Sequence, residues 1–210
     1  MTFLFDIGRV LLDFDFETSL ARLLPPGTAD PQARLAVLLE RKDEFETGAI
    51  APDAYIAWAL EVLGSGASHA EFRHAWCHIF TPNVPMWQTV RMLAAAGHRL
   101  ILLSNTNALH CPWVFGFFPD FALFHAAVLS FEVGAVKPQP AIYQHAIATH
   151  RLDPATTLFI DDLAANIAAG LAHGLRCFQY DQANHAAFQQ WLHDERVLVA
   201  AAQTGGRAPG

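Results

Sequence analysis

The sequence predicts an α/β fold, in which a parallel sheet is interrupted after its first strand by a helical segment. Short apolar runs that end in polar residues predict buried strands, and segments with helical periodicity lie between most of them. Alternation of this kind favours a parallel sheet with crossover helices. Residues 16–82, in contrast, show helical periodicity with frequent Pro and Gly breaks. They predict a small helical domain inserted into the sheet domain.

The first predicted strand, at residues 3–5, runs directly into Asp6. Ligands of open α/β sheets bind just outside the carboxyl ends of the strands, so an aspartate at this point is well placed to meet one. Gly8 follows two positions later, and we expect it to adopt backbone angles that a side chain would forbid. From this stretch alone, Asp6 could equally well cap the segment that follows.

The inserted segment is divided by breaks into four predicted helical pieces. A break at residues 46–48 ends the second piece, and residues 64–66 end the third. Asp30 can cap the second piece, and Pro31 suits its first helical position. Because the segment shows no strand-like alternation, we expect it to be helical throughout.

Strands and helices alternate after residue 85. The predicted strands are residues 99–103, 128–130, 157–160 and 176–180, and the predicted helices are residues 86–96, 140–150 and 164–171. We therefore assign residues 1–15 and 83–200 to the sheet domain and residues 16–82 to the helical one. Residues 201–210 have no means of burying apolar surface and predict a disordered tail.

The composition restricts the functions that such a fold could have. With 53% hydrophobic and 16% charged residues the chain can bury a core, and its net charge of −7 argues against a general nucleic-acid binder. Three distant cysteines without a CxxC pair indicate neither a zinc site nor a disulfide framework. The sequence shows no signal peptide and no apolar stretch of membrane-spanning length, so we expect a cytoplasmic protein without a membrane partner. It leaves monomer and homodimer open.

Polar side chains end three of the predicted strands: Asp6; Ser104 and Asn105; Asp161 and Asp162. Because parallel strands place their carboxyl ends at one edge of a sheet, we expect these groups to converge, together with Lys137 from a nearby loop. Carboxylates suit Mg²⁺, and an ammonium group and a hydroxyl suit phosphoryl oxygens. A carboxylate can also attack phosphorus, so the set predicts metal-assisted phosphoryl transfer. On the alternative interpretation, the paired acids only favour a helix N-terminus and Lys137 is a solvated loop residue.

Four segments resemble, in order, the motifs of the haloacid dehalogenase superfamily: residues 5–10, 103–107, 136–138 and 159–166. The resemblance covers nearly all of the chain apart from the tail. Within the superfamily the sequence is most similar to sugar phosphatases that act on α-D-glucose 1-phosphate. The resemblance implies a Rossmann-like α/β core with a small helical cap. It also implies Mg²⁺-dependent hydrolysis of small phosphorylated metabolites, such as sugar phosphates, through an aspartyl-phosphate intermediate.

The resemblance implies a role for each residue of the metal site. Asp6 would be the nucleophile and a Mg²⁺ ligand, and the backbone carbonyl of Gly8 would be a second ligand. Asp162 would bind the metal directly. Asp161 would support the metal site without direct contact, or would reach the metal through a water molecule.

The resemblance also implies a phosphate site, in which Ser104 and Asn105 hold the phosphoryl group while Lys137 neutralises charge. Two positions depart from the pattern. Most phosphatases of this superfamily carry a second aspartate at the position of Gly8, where it protonates the leaving oxygen and later activates water. Arg9 stands where the similar sugar phosphatases carry asparagine; it could bind a substrate phosphate or carboxylate, or it could point to solvent.

Three functions therefore follow from the sequence. A Mg²⁺-dependent phosphatase of small phosphate esters agrees with all of the motifs. A metal-free dehalogenase, in which the aspartate attacks carbon, is disfavoured by the pair Asp161 and Asp162, since carbon attack on a haloacid needs no cation. A catalytically idle protein that binds a phosphorylated metabolite is supported only by Gly8.

Overall fold

A computed structural model describes residues 1–197 of the chain. Its strands are β1 (Thr2–Phe5), β2 (Leu12–Phe14), β3 (Phe80–Pro82), β4 (Arg99–Ser104), β5 (Ala126–Leu129), β6 (Thr157–Asp161) and β7 (Arg176–Gln179). Its α-helices are α1 (Phe16–Leu20), α2 (Pro31–Val37), α3 (Lys42–Glu46), α4 (Pro52–Leu63), α5 (His69–Cys77), α6 (Val84–Ala95), α7 (His110–Phe117), α8 (Ser130–Val133), α9 (Pro140–His150), α10 (Ala164–Ala172) and α11 (His185–Asp194). Short 3₁₀ turns lie between several of these elements.

Five strands form one parallel sheet in the order β5-β4-β1-β6-β7. The predicted α/β fold is thereby confirmed, and β1 takes the central place. Phe5 lies opposite Leu102 on one side and Ile160 on the other. This register brings Asp6 level with Asp161, the last residue of β6. The polar residues that follow the strands therefore meet at the carboxyl edge of the sheet.

Both faces of the three central strands β4, β1 and β6 are buried, which explains why these strands are largely apolar rather than alternating. Phe3 and Phe5 point to one face and pack in a cluster with residues of α6 and α11. Leu4 points to the opposite face and packs with residues of α9. Two packed layers hold β1 rigidly, so the residue at its end is held in a fixed position.

The helices α1 to α5 pack around an apolar cluster of their own, which includes Phe45, Tyr55 and Trp76. We propose residues 16–82 as a cap over the sheet domain. The expectation that this segment is helical throughout is wrong at its end, where β3 pairs antiparallel with β2. Three half-buried or exposed residues are too few to show alternation, and their pairing depends on a strand about seventy residues away in the chain.

Two further differences concern the second half of the chain. The strand predicted at residues 128–130 is β5, which ends at Leu129, because Ser130 begins α8. The helices α7 and α11 were not predicted. The predicted tail at residues 201–210 lies outside the described residues. In the part of the chain that the structure describes, no helix has both the length and the apolar character needed to cross a bilayer.

Candidate active site

Three carboxylates converge at the carboxyl edge of the sheet. Asp6 follows β1, Asp161 ends β6 and Asp162 comes next. Each offers one oxygen, and these oxygens all lie within 4.8 Å of one another. Asp161 is fully buried, Asp6 is 8% exposed, and Asp162 is half-buried. The convergence that the sequence predicts is therefore present.

Lys137 lies between two of these carboxylates. Its Nζ is 2.9 Å from Asp6 Oδ1 and 2.6 Å from Asp161 Oδ2, and its side chain is completely buried. Asn105 fixes the loop that carries it, because the Asn105 Oδ1 accepts from the Lys137 backbone N–H at 2.7 Å and the Nδ2 donates to the Lys137 carbonyl at 2.9 Å. The Asn105 amide therefore positions Lys137. Its contact with a phosphoryl group stays a prediction.

Asp161 is held by hydrogen bonds on both oxygens. Lys137 donates to Oδ2, while Oδ1 accepts from the Leu163 backbone N–H and from the Asn166 side chain, each at 2.9 Å. Asp162 lines the adjoining cavity instead. The two neighbouring acids thus differ in environment, with Asp161 oriented by protein groups and Asp162 facing the space where a ligand would bind.

The site carries more negative than positive charge. Burial raises the pKa of Asp6, and the nearby charge of Lys137 opposes that rise. Burial, together with the charges of Asp6 and Asp161, raises the pKa of Asp162 to about 6. Burial works against the charged form of Lys137, but its two carboxylate neighbours prevail and raise its pKa. The site holds three carboxylates and one ammonium group. The carboxylates supply hard oxygen donors, so this set fits a divalent cation such as Mg²⁺.

The unusual backbone angles that we expected at Gly8 occur at Arg9 instead. The φ of Gly8 lies outside the left-handed region, and it is Arg9 that has a φ of 55°. The space at Gly8 is limited instead, because a Cβ at this position would lie 3.2 Å from Cε1 of Phe14. The Arg9 guanidinium lies 4.3 Å from the centre of the Phe14 ring and forms an ion pair with Asp13. Arg9 lines the cavity at its exposed side, and its contact with a substrate stays a prediction.

A cavity of about 480 Å³ lies between the sheet edge and the cap. Ser104, 1% exposed at the end of β4, lines its floor. The cap contributes aromatic and charged side chains to the wall: Lys42, Phe45, Glu46, Tyr55 and Trp76. Glu46 lies in the helix break predicted at residues 46–48, and no motif in the sequence marks it as a site residue.

His110 also lines this cavity, at the start of α7. Its Nδ1 lies 3.1 Å from the Asn107 side-chain amide and its Nε2 lies 3.0 Å from the Trp76 carbonyl. Burial lowers the pKa of His110 to about 4, so the imidazole is neutral at physiological pH. His110 therefore joins the cap to the sheet domain rather than titrating in the site.

A family model for haloacid dehalogenase-like hydrolases matches residues 1–174. The chain belongs to the haloacid dehalogenase-like hydrolase family. The match covers the helical insertion as well as all four motifs, so the predicted resemblance is confirmed.

Members of this family with known activity or structure resemble most of the chain. The D-ribitol-5-phosphate phosphatase of Bacteroides thetaiotaomicron is 28% identical over 199 residues, which are 90% of this chain and 94% of that protein. A family enzyme from the same organism, solved with magnesium and inorganic phosphate, has a TM-score of 0.74 at 24% identity and covers 86% of this chain and 94% of its own. A family hydrolase from Porphyromonas gingivalis has a TM-score of 0.73 at 25% identity, covering 91% and 97%.

Proposed function

We propose that this hydrolase is a Mg²⁺-dependent phosphatase of small phosphorylated metabolites, with sugar or sugar-alcohol phosphates as its substrates. The observation that carries the proposal is the Asp6 carboxylate, which is paired with the buried Lys137 and faces a cavity together with Asp162. A nucleophilic carboxylate beside a fixed ammonium group suits in-line attack on phosphorus. A small-molecule phosphate ester, and not a nucleic acid or a membrane, is the proposed partner. A cytoplasmic location and a monomeric or homodimeric state remain predictions.

In this mechanism Asp6 attacks phosphorus and becomes an aspartyl phosphate, which water then hydrolyses. Lys137 offsets negative charge on Asp6 and on the phosphoryl oxygens, and Asn105 keeps the ammonium group in place through the Lys137 backbone. Ser104 donates a hydrogen bond to the phosphoryl group from the end of β4. Each of these groups is attached to a buried strand or to a loop that is itself hydrogen-bonded, so little reorganisation is needed at the moment of reaction.

The donor set also supports the proposed cofactor. Asp6, Asp162 and the Gly8 carbonyl would hold Mg²⁺, while Asp161 is kept by Lys137 and Asn166 as a fixed negative charge behind them. A bound divalent cation supplies positive charge that stabilises the phosphoryl oxygens in the transition state. The family enzyme from Bacteroides that was solved with magnesium and inorganic phosphate supports the same assignment.

The cavity supports a small polyhydroxylated leaving group. Its volume of about 480 Å³ suits a metabolite rather than a polymer. Trp76 lines this cavity from the cap, and its Nε1 is buried without a hydrogen-bond partner among residues 1–197. A hydroxyl of the substrate would satisfy it. The relative that hydrolyses D-ribitol 5-phosphate supports this substrate class.

Phosphate release from a panel of sugar, sugar-alcohol and aryl phosphates tests the proposal. We expect turnover with Mg²⁺, loss of turnover in EDTA, and no turnover by a folded Asp6→Asn variant. Release of halide from 2-haloacids without Mg²⁺ would favour a dehalogenase instead. Binding of phosphate esters without turnover would favour a binding protein.

A further inference from the structure

The proposed reaction requires a proton donor that the sheet edge does not supply. An alcohol leaves phosphorus as an alkoxide, a strong base that needs a proton as the bond breaks. Asp6 is the proposed nucleophile, Asp162 is a proposed Mg²⁺ ligand, and the Asp161 oxygens are both occupied by hydrogen bonds. Gly8 has no side chain to offer, and the Phe14 ring lies close to the position that a Cβ would take. The proton must therefore come from another side of the cavity.

Most of the other titratable groups in the cavity wall already have partners. Both ring nitrogens of His110 are in hydrogen bonds, and its low pKa keeps the ring neutral, a form that is a very weak acid. The Tyr55 hydroxyl donates to the Leu38 carbonyl, and burial raises its pKa far above neutrality. Arg9 is paired with Asp13. None of these groups is placed to exchange a proton with a leaving group.

Glu46 differs from them. It ends α3 in the cap and lines the same cavity as Asp6, and it is only 9% exposed. Its Oε2 is buried and forms an ion pair with the Lys42 Nζ at 3.3 Å, but it accepts no hydrogen bond within residues 1–197. A carboxyl oxygen that is shielded from bulk water and has no hydrogen-bond partner must find one in a ligand or remain costly.

The surroundings of Glu46 raise the pKa of its carboxyl above the ordinary value. Burial raises its pKa most strongly, Lys42 opposes the rise, and the carboxylates of Asp43 and Asp6 add to it. Glu46 and the proposed nucleophile Asp6 line the same cavity. A carboxyl group with a raised pKa holds its proton over a wider pH range and can still give it to a strongly basic leaving oxygen.

The backbone after α3 holds Glu46 in this position. Gly48 has a φ of 73°, and a Cβ on it would lie 2.5 Å from the carbonyl oxygen of Phe131 in α8. This close approach seats the end of α3 against the sheet domain, next to the segment that begins with Ser130. Ser130 is in turn bound to the backbone of Thr106, which follows the phosphate-site residues of β4. Glu46 thus belongs to the cap, but contacts with the sheet domain fix its position.

We infer that Glu46 is the general acid and base of this enzyme, an inference that rests on the proposed phosphatase function. As the Asp6–phosphorus bond forms and the ester P–O bond breaks, the Glu46 carboxyl gives its proton to the leaving oxygen, which departs as the alcohol. The Glu46 carboxylate then takes a proton from water as the water oxygen attacks phosphorus. The Asp6–phosphorus bond breaks, phosphate is released, and Glu46 is protonated again.

A Glu46→Gln variant tests this role with two substrates, D-ribitol 5-phosphate and p-nitrophenyl phosphate. The aryl leaving group is a weak base and needs no proton, whereas the alkyl one does. We expect kcat/KM for the alkyl ester to fall about 10²–10⁴-fold, while kcat/KM for the aryl ester stays nearly unchanged. The alkaline limb of the wild-type pH profile for the alkyl ester should also disappear. The matched control is Glu44→Gln, an exposed acid of the same helix paired with Arg41, and it should leave both substrates unaffected.

Two results would overturn the inference. One is an unchanged kcat/KM for the alkyl ester; the other is an equal loss for both esters, which would indicate a binding or structural role. If Glu46→Gln fails to fold, Glu46→Asp takes its place, and it should lose activity on the alkyl ester only and keep the alkaline limb. Failure of the proposed function would look different, since the wild-type protein would then hydrolyse neither ester.

Discussion

Replacing Lys137 by methionine should destabilise the protein strongly, because it leaves two buried carboxylates without their cation. The Lys137 side chain is completely buried, with Nζ 2.9 Å from Asp6 and 2.6 Å from Asp161. Methionine keeps most of the length of the side chain, so the change removes mainly the charge. Removal of one partner from a buried ion pair costs about 3–5 kcal/mol. That loss is a large part of the total stability of a domain, which is typically about 5–15 kcal/mol.

Urea unfolding followed by tryptophan fluorescence measures this loss, and EDTA in the buffer removes any stabilisation by bound metal. Lys42→Met is the matched control, because Lys42 is half-exposed and its pair with Glu46 is loose; it should cost less than about 1 kcal/mol. Adding Asp161→Asn to Lys137→Met should restore part of the stability, since one uncompensated charge is then removed. A loss below about 1 kcal/mol for Lys137→Met would refute the reasoning, as it would match an exposed pair.

Three further predictions concern other parts of the site. The pKa of His110 falls from 6.5 to about 4 on folding, so the unfolded chain binds a proton that the folded chain does not, and stability drops as pH falls through this range. Between pH 7.5 and pH 5 the drop should be about 2 kcal/mol smaller in His110→Asn, measured by urea unfolding. Gly8→Ala should destabilise the protein, and Phe14→Leu should relieve part of that cost, with a coupling of about 0.5–3 kcal/mol in a double-mutant cycle. Mg²⁺ at about 100 times its Kd should stabilise the wild-type protein by about 3 kcal/mol in thermal unfolding, and Asp162→Asn should abolish most of that effect.

Much of the sheet could be predicted because strands buried on both faces need continuous apolar runs, which are recognisable in the sequence. The strands predicted at residues 3–5, 99–103 and 157–160 contain the continuous apolar runs 3–5, 100–103 and 158–160, and all three strands occur at those positions in the structure. Since parallel strands share an edge, the convergence of Asp6, Asp161 and Asp162 followed from their position after the strands.

The helix α7 has no comparable pattern in the sequence. Its residues pack against both the sheet domain and the cap, so apolar side chains occur all round the helix instead of along one stripe. Pro112 and Gly116 lie within it and also argue against a helix when the sequence is considered alone. The helix α11, in contrast, carries Phe188 and Leu192 at helical spacing and could have been predicted.

The parts of the site that depend on contacts between distant segments could not be predicted. The Asn105 amide binds the backbone of Lys137, which is 32 residues away, and an asparagine after a strand does not indicate that partner. Glu46 stands before Thr47 and Gly48 and so belongs to a turn signal in the sequence. Its location over the cavity depends on the close approach of Gly48 to α8, which is visible only once the cap is packed.

Gly8 shows how a correct residue can be given a wrong reason. The sequence suggested that glycine was needed for its backbone freedom, but the left-handed φ belongs to Arg9. The physical constraint at Gly8 is the Phe14 ring of β2. The same ring lies against the Arg9 guanidinium, so one aromatic side chain contacts both neighbouring positions.

The most direct test of the proposed function is to trap the intermediate on Asp6. The enzyme is mixed with p-nitrophenyl phosphate and Mg²⁺, quenched in acid during turnover, and digested for mass spectrometry. We predict a phosphate group on the peptide that contains Asp6, at the Asp6 side chain, and none when EDTA replaces Mg²⁺. Rapid product formation with the phosphate on another residue, or with no phosphopeptide at any time during turnover, would contradict the assignment of Asp6 as the nucleophile.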